Sequence, residues 1–491
     1  SAAQLALAGA IALRAVGGEV LVLQMAAWVA PYGITIVADG LAALLLVAAA
    51  IAGLFSVVHA NAGAGSGRRR AARAGELGEN LILDLARERF GLQALLQFLF
   101  MGVNMSLLSG DLFNLFVAFE VMLVASYGLL LLGGERRQLR EGFRYVIVNL
   151  IASALFVIAA GMVYGLVGTL NMADIGQRVL AHGADLRLTL LCALLALVFA
   201  TKAALFPFGF WLPDAYPAPP VAVGAYFAAV LTKVGVYALV RTFTLMFPGQ
   251  PLLQDLLLVL GVVTALVGAV GMLGRHGWRH VAAFANVSSI GFLVAAFFAG
   301  GELGLSAGVF YLFTSIAVIY AMFSVAGVAE SLSGSDVRAP GRLAGHPWLG
   351  VGYFVVGLTL VGVPPTSGFL GKYGLVQALI ARGALGWAAT AVALLASLVL
   401  IYAVFGLWAG YFWGDSEESG SPAAVHFPSW QQSLIATLSV VVVAALAVFG
   451  GPVFRTSATV AAQLDGNDAY VESVLSPDAF GPQIGPRLGD D

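Results

Sequence analysis

The chain has 491 residues, of which 60% are hydrophobic and only 10% are charged, and its formal net charge is −2. Soluble globular proteins carry roughly 45–50% apolar and about 25% charged residues, so this composition excludes a soluble enzyme, a nucleic-acid-binding protein and a secreted disulfide scaffold. The single cysteine, Cys192, lies in an apolar run and cannot form a bridge within the chain. The composition is that of an all-α, polytopic membrane protein.

Long apolar runs predict thirteen helices, most of them able to cross a hydrocarbon core about 30 Å thick. Because the first run is short and no methionine precedes it, we expect a further segment upstream of Ser1. The approximate bounds of the runs are 2–16, 34–60, 90–109, 113–133, 143–168, 187–212, 219–242, 252–273, 280–300, 303–329, 349–383, 386–413 and 431–452.

The distribution of arginines predicts the orientation of these helices. Alternate loops carry fourteen arginines on one side and six, Arg241 among them, on the other. The positive-inside rule makes the first side cytoplasmic, and the polar stretch after Pro452 then lies outside. The chain has only three lysines, and all three lie inside hydrophobic segments: Lys202, Lys233 and Lys372.

Two segments, 201–214 (TKAALFPFGFWLPD) and 362–375 (GVPPTSGFLGKYGL), share a pattern of proline in mid-span followed by a Gly-Phe step. Proline removes a backbone N–H and clashes with the preceding turn, so both helices are predicted to be interrupted. Two ordinary proline kinks are the alternative. The residues concerned are Pro207, Gly209, Pro364, Pro365 and Gly368.

Paired interrupted helices indicate a transporter built from repeated units. With about five helices each, the units cover residues 90–242 and 252–413, and the odd number of helices makes their topologies inverted. Residues 1–89 then hold N-terminal helices and a basic cytoplasmic loop. Residues 414–491 hold the last helix and an external C-terminal tail.

Four ionisable side chains lie within predicted spans: Glu120, Lys202, Lys233 and Lys372. Such groups cost at least about 2.5–3.5 kcal/mol in the bilayer core, so they usually face a bundle interior or a water path. Snorkelling to the interface is the alternative for Lys202 and Lys372, whereas Lys233 is too central for it. For Glu120 the alternative is a structural ion pair between helices.

Lysine differs from arginine at such positions because burial can remove its proton, whereas a guanidinium stays charged at any accessible pH. A carboxylate 4 Å away attracts an ammonium by about 4 kcal/mol at an effective dielectric constant near 20. Moving that carboxylate would therefore switch the lysine between holding and releasing a proton. We predict that the four residues form a proton path.

Two neighbouring predicted helices carry hydroxyl and amide groups that would complete a hydrated path. Taken singly, each of these groups is equally explained by a hydrogen bond between helices. The groups are Asn286, Ser288 and Ser289 in the first helix, and Tyr311, Thr314, Ser315 and Tyr320 in the second.

Other chemistry has little support in the sequence. None of the six histidines is predicted in mid-membrane, and the sequence has no metal-ligand cluster, phosphate-binding loop or dinucleotide-binding fingerprint. We therefore expect no metal and no cofactor, so any redox chemistry would belong to another protein. Asp39 and Asp111 lie near predicted helix starts, where stabilisation of the helix N-terminus is favoured over a Na⁺ site.

Several stretches resemble the antiporter-like membrane subunits shared by respiratory complex I and the multisubunit Mrp-type Na⁺/H⁺ antiporters. The GDLFNLF…FEV pattern favours the D-type subunits of the Mrp antiporters over the complex I relatives. The resembling stretches include WVAPYGITIVADGLAALL (28–45), SGDLFNLFVAFEVMLVASYGLLLLGG (109–134), TKAALFPFGFWLPDAYPAPP (201–220) and GFLGKYGLVQALI (368–380).

The resemblance implies fourteen transmembrane helices and a hydrated proton path along the membrane midplane. It implies that Glu120 matches the family's glutamate of the fifth helix and Lys202 the lysine of the broken seventh. It likewise implies that Lys233 matches the lysine of the eighth helix and Lys372 the lysine of the broken twelfth.

One departure from the family pattern concerns the eleventh helix, GVFYLFTSIAVIYAMFSVAG (308–327). Thr314 and Ser315 stand where the resemblance implies histidine, and Ile319 stands near the implied lysine. Either hydroxyls and water replace the imidazole, with Ser288 and Tyr311 completing the relay, or the chain conducts through only one half-channel.

The sequence thus predicts a proton-translocating subunit of a multisubunit monovalent cation (Na⁺)/H⁺ antiporter, which is a secondary transporter component rather than an enzyme. The resemblance implies partner subunits of the A, B, C, E, F and G types, membrane lipid around the chain, and the bacterial cytoplasmic (inner) membrane as its location. A pumping subunit of complex I or of a membrane-bound hydrogenase is one alternative. A structural scaffold that has lost transport is another.

Overall fold

The computed structural model describes residues 1–74, 91–183, 185–274, 277–333, 343–413 and 428–476. Most arginines of the predicted basic loop lie outside the described residues or have side chains that are not described. The helices are α1 Ala2–Ala15, α2 Gly40–Ala74, α3 Leu92–Leu108, α4 Leu112–Leu131, α5 Arg136–Val167, α6 Met172–His182, α7 Leu186–Lys202, α8 Leu212–Ala215, α9 Val221–Met246, α10 Pro251–Leu273, α11 Trp278–Ala299, α12 Gly301–Ser333, α13 Pro347–Val361, α14 Ser367–Ile380, α15 Gly383–Phe412, α16 Trp430–Val448, α17 Gly450–Asp465 and α18 Asp468–Leu475.

The predicted helical membrane fold is confirmed. Within the described residues, nine helices are long and apolar enough to cross a membrane, and three shorter apolar helices accompany them. The interrupted spans divide into shorter helices, so the total of thirteen spans stays a prediction.

One short β-hairpin accompanies the helices. Strands β1 Leu21–Gln24 and β2 Thr35–Ala38 pair antiparallel, with Leu21 opposite Ala38 and Gln24 opposite Thr35. The predicted span 34–60 included residues 35–38, although their β-branched side chains favour a strand. The helix begins only at Gly40, where Asp39 Oδ1 accepts a hydrogen bond from the Ala42 amide at 3.0 Å.

Side-chain caps fix several other helix starts. Asp111 Oδ1 accepts from the Asn114 amide at 2.8 Å, which confirms the predicted role of Asp39 and Asp111 at helix N-termini. Asn171 caps α6 through the Ala173 amide at 3.0 Å. These polar groups satisfy backbone N–H groups that have no partner within the helix.

The helices form an inner and an outer layer. Helix α9 is buried along almost its whole length, α11 and α12 are nearly so, and α5, α15 and α16 are the least buried of the long helices in the described part of the chain. The exposed side chains are those expected against lipid, including Phe143 and Leu150 on α5 and Leu398 and Tyr402 on α15. The inner layer therefore shields a charge on α9 from lipid on every side.

Both predicted interruptions are present and are built alike. α7 ends at Lys202 and α13 at Val361, and turns separate them from α8 and α14. A Cβ built on Gly209 would lie 2.1 Å from the Ala204 carbonyl oxygen, and one on Gly368 would lie 1.8 Å from the Thr359 carbonyl oxygen. In each Gly-Phe step the glycine therefore allows the chain to pass against its own preceding backbone.

The two ends of the bundle are named from the arginine asymmetry. The cytoplasmic end carries the Arg279–Glu330 pair, with Nε and Oε2 2.5 Å apart. The outer end carries the start of α2, the end of α9, and helices α17 and α18, which pack against α2 and against β1 and α6 respectively. The polar stretch after residue 452 thus forms most of α17 and all of α18, and these two helices cover the outer end.

Candidate functional site

Lys202 is the last residue of α7, immediately before the first interruption, and its side chain is buried. Its Nζ donates to Ser153 Oγ on α5 at 3.1 Å and lies 5.1 Å from the centre of the Phe119 ring on α4. These groups hold the ammonium inside the bundle rather than at the lipid interface. α9 packs directly on this point, since a Cβ on Gly235 would lie 2.7 Å from the Ala203 nitrogen.

Glu120 follows Phe119 on α4 and is half-buried. Its carboxylate acts electrostatically on Lys202, but the two side chains form no salt bridge among the described residues. Its Oε1 is buried and has no hydrogen-bond partner in that part of the chain. The carboxylate is therefore near the ammonium but is not fixed to it.

Lys233 lies in the centre of α9 and is 1% exposed. Its Nζ donates to the Ala228 carbonyl oxygen at 2.8 Å and to Asn286 Oδ1 on α11 at 2.5 Å. A π-helical turn, Phe227–Leu231, ends two residues before Lys233 and widens the backbone there. The ammonium is thus held by two neutral oxygens, one from α9 itself and one from α11.

Lys372 lies on α14, after the second interruption, and is buried. Its Nζ donates to the Val361 carbonyl oxygen at 2.9 Å and to Ser397 Oγ on α15 at 3.1 Å. The Lys372 ammonium lies over the face of the Phe292 ring on α11, with Nζ 3.7 Å from the ring centre. Val361 is the last residue of α13, so the interruption supplies the carbonyl that the ammonium uses.

The hydroxyl groups of the predicted relay bond mainly to backbone. Thr314 Oγ1 donates to the Phe310 carbonyl at 2.9 Å and Ser315 Oγ to the Leu312 carbonyl at 3.0 Å, both within α12. Ser288 Oγ donates to the Ala265 carbonyl of α10 at 2.8 Å. Tyr311 packs against Phe292, with ring centres 6.4 Å apart. Each hydroxyl keeps lone pairs free to accept a further hydrogen bond.

The structure brings the charged residues to the interior but does not join them directly. None of the hydrogen bonds of the described residues links one of the three lysines to another, and none links Thr314 or Ser315 to a lysine. Movement of a proton between them would need water or side-chain rotation.

Sequence reasoning missed the neutral partners Ser153 and Ser397, which only the packing of distant helices reveals. It also misplaced Arg241, which belongs to no outer loop but lies in α9, 2% exposed, with Nη2 2.5 Å from Asp39 Oδ1. Arg241 also lies between two aromatic rings, with Cζ 5.1 Å from the centre of Tyr237 and 5.3 Å from that of Tyr470. The sequence carried one sign of this placement: Arg241 follows Lys233 by about two helical turns within the same apolar run, so it could belong to the same helix.

Metal binding has no visible basis in the described part of the chain. There, no three histidine, cysteine, aspartate or glutamate side chains come together in a way that could hold an ion. Cys192 is buried and free.

Two interrupted helices and one buried helix, with a lysine on each of the three, define a polytopic helical membrane bundle with ionisable groups in its interior. The chain belongs to the NADH:quinone oxidoreductase/Mrp antiporter transmembrane family, whose model matches residues 109–400. Within it, the chain groups with the D-type antiporter subunits. It is 33% identical over 459 residues to the D-type Na⁺/H⁺ antiporter subunit of Alkalihalophilus pseudofirmus, an alignment that covers 93% of this chain and 88% of the relative. It is 34% identical to the D-type subunit of Bacillus subtilis over 82% of this chain and 78% of that one.

Solved structures agree with this grouping. A chain of the Mrp complex from Dietzia sp. DQ12-45-1b superposes with a TM-score of 0.82 at 28% identity, covering 96% of this chain and 92% of that one. A chain of respiratory complex I from Thermus thermophilus superposes with a TM-score of 0.74 at 24% identity, covering 95% and 92%. At that identity the likeness to complex I concerns the fold alone.

Proposed function

We propose that the chain is the proton-translocating D-type subunit of a multisubunit Na⁺/H⁺ antiporter in a bacterial cytoplasmic membrane, and that Glu120, Lys202, Lys233 and Lys372 carry the proton. The curated relatives are named as subunits of Na⁺/H⁺ antiporters, and the chain shares most of its length with them. Its partners are then the other membrane subunits of that assembly.

The observation that supports this proposal most is the set of partners around each ammonium. Lys202, Lys233 and Lys372 donate to serine hydroxyls, backbone carbonyls and one amide, all of them neutral. A purely structural buried cation is normally paired with a carboxylate, because an unpaired charge in a low-dielectric interior is costly. A lysine among neutral acceptors can exist with or without its proton, as a proton carrier must.

Glu120 supplies the adjustable charge. Because its carboxylate acts on Lys202 without forming a salt bridge, a small displacement towards or away from the ammonium changes which of the two holds the proton. The potential across the membrane supplies about 2.3 kcal/mol per charge per 100 mV, enough to drive Na⁺ out when more than one proton enters per ion.

The path between Lys233 and Lys372 uses hydroxyls instead of an imidazole. Ser288, Tyr311, Thr314 and Ser315 are buried, and each offers free lone pairs to water. Phe292 lies beside both the Tyr311 ring and the Lys372 ammonium, so Tyr311 is the residue of this set that shares a neighbour with that lysine.

The test is Na⁺-driven proton movement in everted membrane vesicles from an antiporter-deficient strain expressing the whole complex. E120Q and K233M should abolish the exchange while the variant chain still co-purifies with its partner subunits. E302Q is the matched control, because Glu302 is an exposed acid at the outer start of α12. Exchange at the unmodified rate in assembled K233M would refute the proposal, and co-purification with iron–sulfur subunits would favour the respiratory alternative.

A further inference from the structure

A second polar contact joins α2 and α12, away from the four charged residues. Ser56 Oγ donates to the Tyr320 hydroxyl at 3.2 Å, and both residues are buried. The Phe55 ring packs on Tyr320 with ring centres 5.8 Å apart. The two helices are therefore in close contact at this level.

Two buried polar atoms lie one turn closer to the cytoplasmic end. His59 Nδ1 on α2 and Ser324 Oγ on α12 have no hydrogen-bond partner among the described residues. His59 is 5% exposed and Ser324 is 0% exposed, so bulk water does not satisfy them. A buried polar group without a partner is costly, and in most proteins it is bonded to protein or to an internal water.

His59 and Ser324 occupy the same depth on the same side of their helices. α2 and α12 both start at the outer end and run in the same direction. Asp39, just before α2, binds Arg241 near the end of α9. Gly301, the first residue of α12, lines a cavity together with Thr244, which is about one turn from Arg241 on α9. His59 follows Ser56 by three residues, a rise of about 4.5 Å along α2, and Ser324 follows Tyr320 by four, a rise of about 6 Å along α12. Spacings of three and four residues keep both side chains on the contacting face.

We propose that His59, Ser324 and Tyr320 enclose an internal water, and that His59 is a proton relay between the cytoplasmic end and the hydroxyl groups of α12. This inference rests on the proposed function. Such a water would bond His59 Nδ1, Ser324 Oγ and the Tyr320 hydroxyl, within the two to four polar partners that buried waters usually have.

The relay conserves protons. The imidazole takes one proton at Nε2 from the cytoplasmic side and releases the one on Nδ1 to the internal water, which passes it towards Tyr320. The ring ends neutral in its other tautomer. A turn of the ring then presents Nδ1 to the cytoplasmic side and Nε2–H to the internal water, and passage of a second proton through the ring in this orientation restores the first tautomer. Histidine suits this role because both nitrogens exchange protons at physiological pH.

The departure seen in the sequence leaves α12 without an imidazole of its own. α12 has Thr314 and Ser315 where the family resemblance implies an imidazole, while His59 lies on the helix beside it. The other titratable groups in the cytoplasmic half of the described elements packed on α2 are Tyr226 on α9, Tyr320 and Glu330 on α12, and the amino terminus. Glu330 is paired with Arg279. His59 carries the one imidazole in the described residues of those elements.

The experiment compares H59Q and H59L in the intact complex, with the same vesicle assay. Glutamine can hydrogen-bond the water but cannot relay a proton, so both variants should lower exchange at least tenfold while H59Q assembles normally. A merely structural His59 would instead be replaced by glutamine with little loss. H182Q is the control, since His182 is exposed at the end of α6. S324A should slow exchange two- to fivefold.

Two results would overturn the inference: unmodified exchange in assembled H59Q, or a high-resolution density map of the complex that shows no water between His59 Nδ1 and Ser324 Oγ. If H59L fails to assemble, H59Q and the map decide. Loss of exchange in K233M together with unmodified exchange in H59Q would reject this relay alone. Unmodified exchange in K233M would reject the proposed function itself.

Discussion

The buried pair between Asp39 and Arg241 allows a quantitative prediction. D39N should lower the free energy of unfolding by about 3–5 kcal/mol, the usual loss when one partner of a buried ion pair is removed. The side chains are 7% and 2% exposed, so solvent cannot take over the charge. Asparagine can still accept the Ala42 amide and cap α2, so the loss comes from the stranded guanidinium and not from the helix start.

A double-mutant cycle isolates this charge effect. R241M should be similarly destabilising, and D39N/R241M should be at least about 2 kcal/mol more stable than the sum of the single losses predicts, because no unpaired charge remains. The measurement is unfolding of the purified chain in mixed micelles titrated with SDS. D185N is the matched control: Asp185 also caps a helix and pairs with an arginine, but at an exposed site. Coupling below about 0.5 kcal/mol would refute the reasoning, since distant independent sites already add to that accuracy.

Three further predictions concern other parts of the chain. G235A should push α9 away from the end of α7 and lower the free energy of unfolding by about 1–3 kcal/mol. The loss should be measurable as a lower exchange rate and a lower thermal stability, whereas the control G165A, with open space around the added Cβ, should change neither. S397A removes one hydrogen bond to the ammonium of the second interrupted helix and should slow exchange about three- to tenfold, from a loss near 1 kcal/mol; unchanged rates would contradict this. The hydrogen bond from the Arg187 amide lowers the pKa of Asp185 in the folded chain. The stability that this helix cap contributes is therefore fully present above the pKa of an unfolded aspartate, and it is lost as the pH falls through the lowered folded-state value. Amide exchange at Arg187 should accelerate only below about pH 4.

The sequence was sufficient for the features that depend on local chemistry. Uninterrupted apolar runs marked the spans, since length and hydropathy alone decide whether a helix crosses a bilayer. Mid-span prolines marked both interruptions, and the same Gly-Phe steps proved to be points of backbone contact at Gly209 and Gly368. The three buried lysines were found because charge inside an apolar run is rare enough to be informative.

Features that depend on packing between distant segments could not be predicted. Asn286 was named as one of several polar residues, but only the approach of α11 to α9 makes it the partner of Lys233. The hairpin over residues 21–38 depends on the pairing of two segments, and the β-branched residues 35–37 favour a strand without specifying its partner. Arg241 was counted with the outer loop arginines because its carboxylate partner lies about two hundred residues earlier.

Tyr470 lies against the Arg241 guanidinium near the end of the described chain, whereas Asp39 is near its beginning. During synthesis residue 470 leaves the ribosome long after residues 39 and 241 have entered the membrane. Until then the guanidinium of the pair has only one of its two aromatic neighbours, the Tyr237 ring. The outer face around this pair is then completed only when α18, the last helix of the described residues, is in place, and a chain that terminates before α18 leaves the guanidinium uncovered on that side.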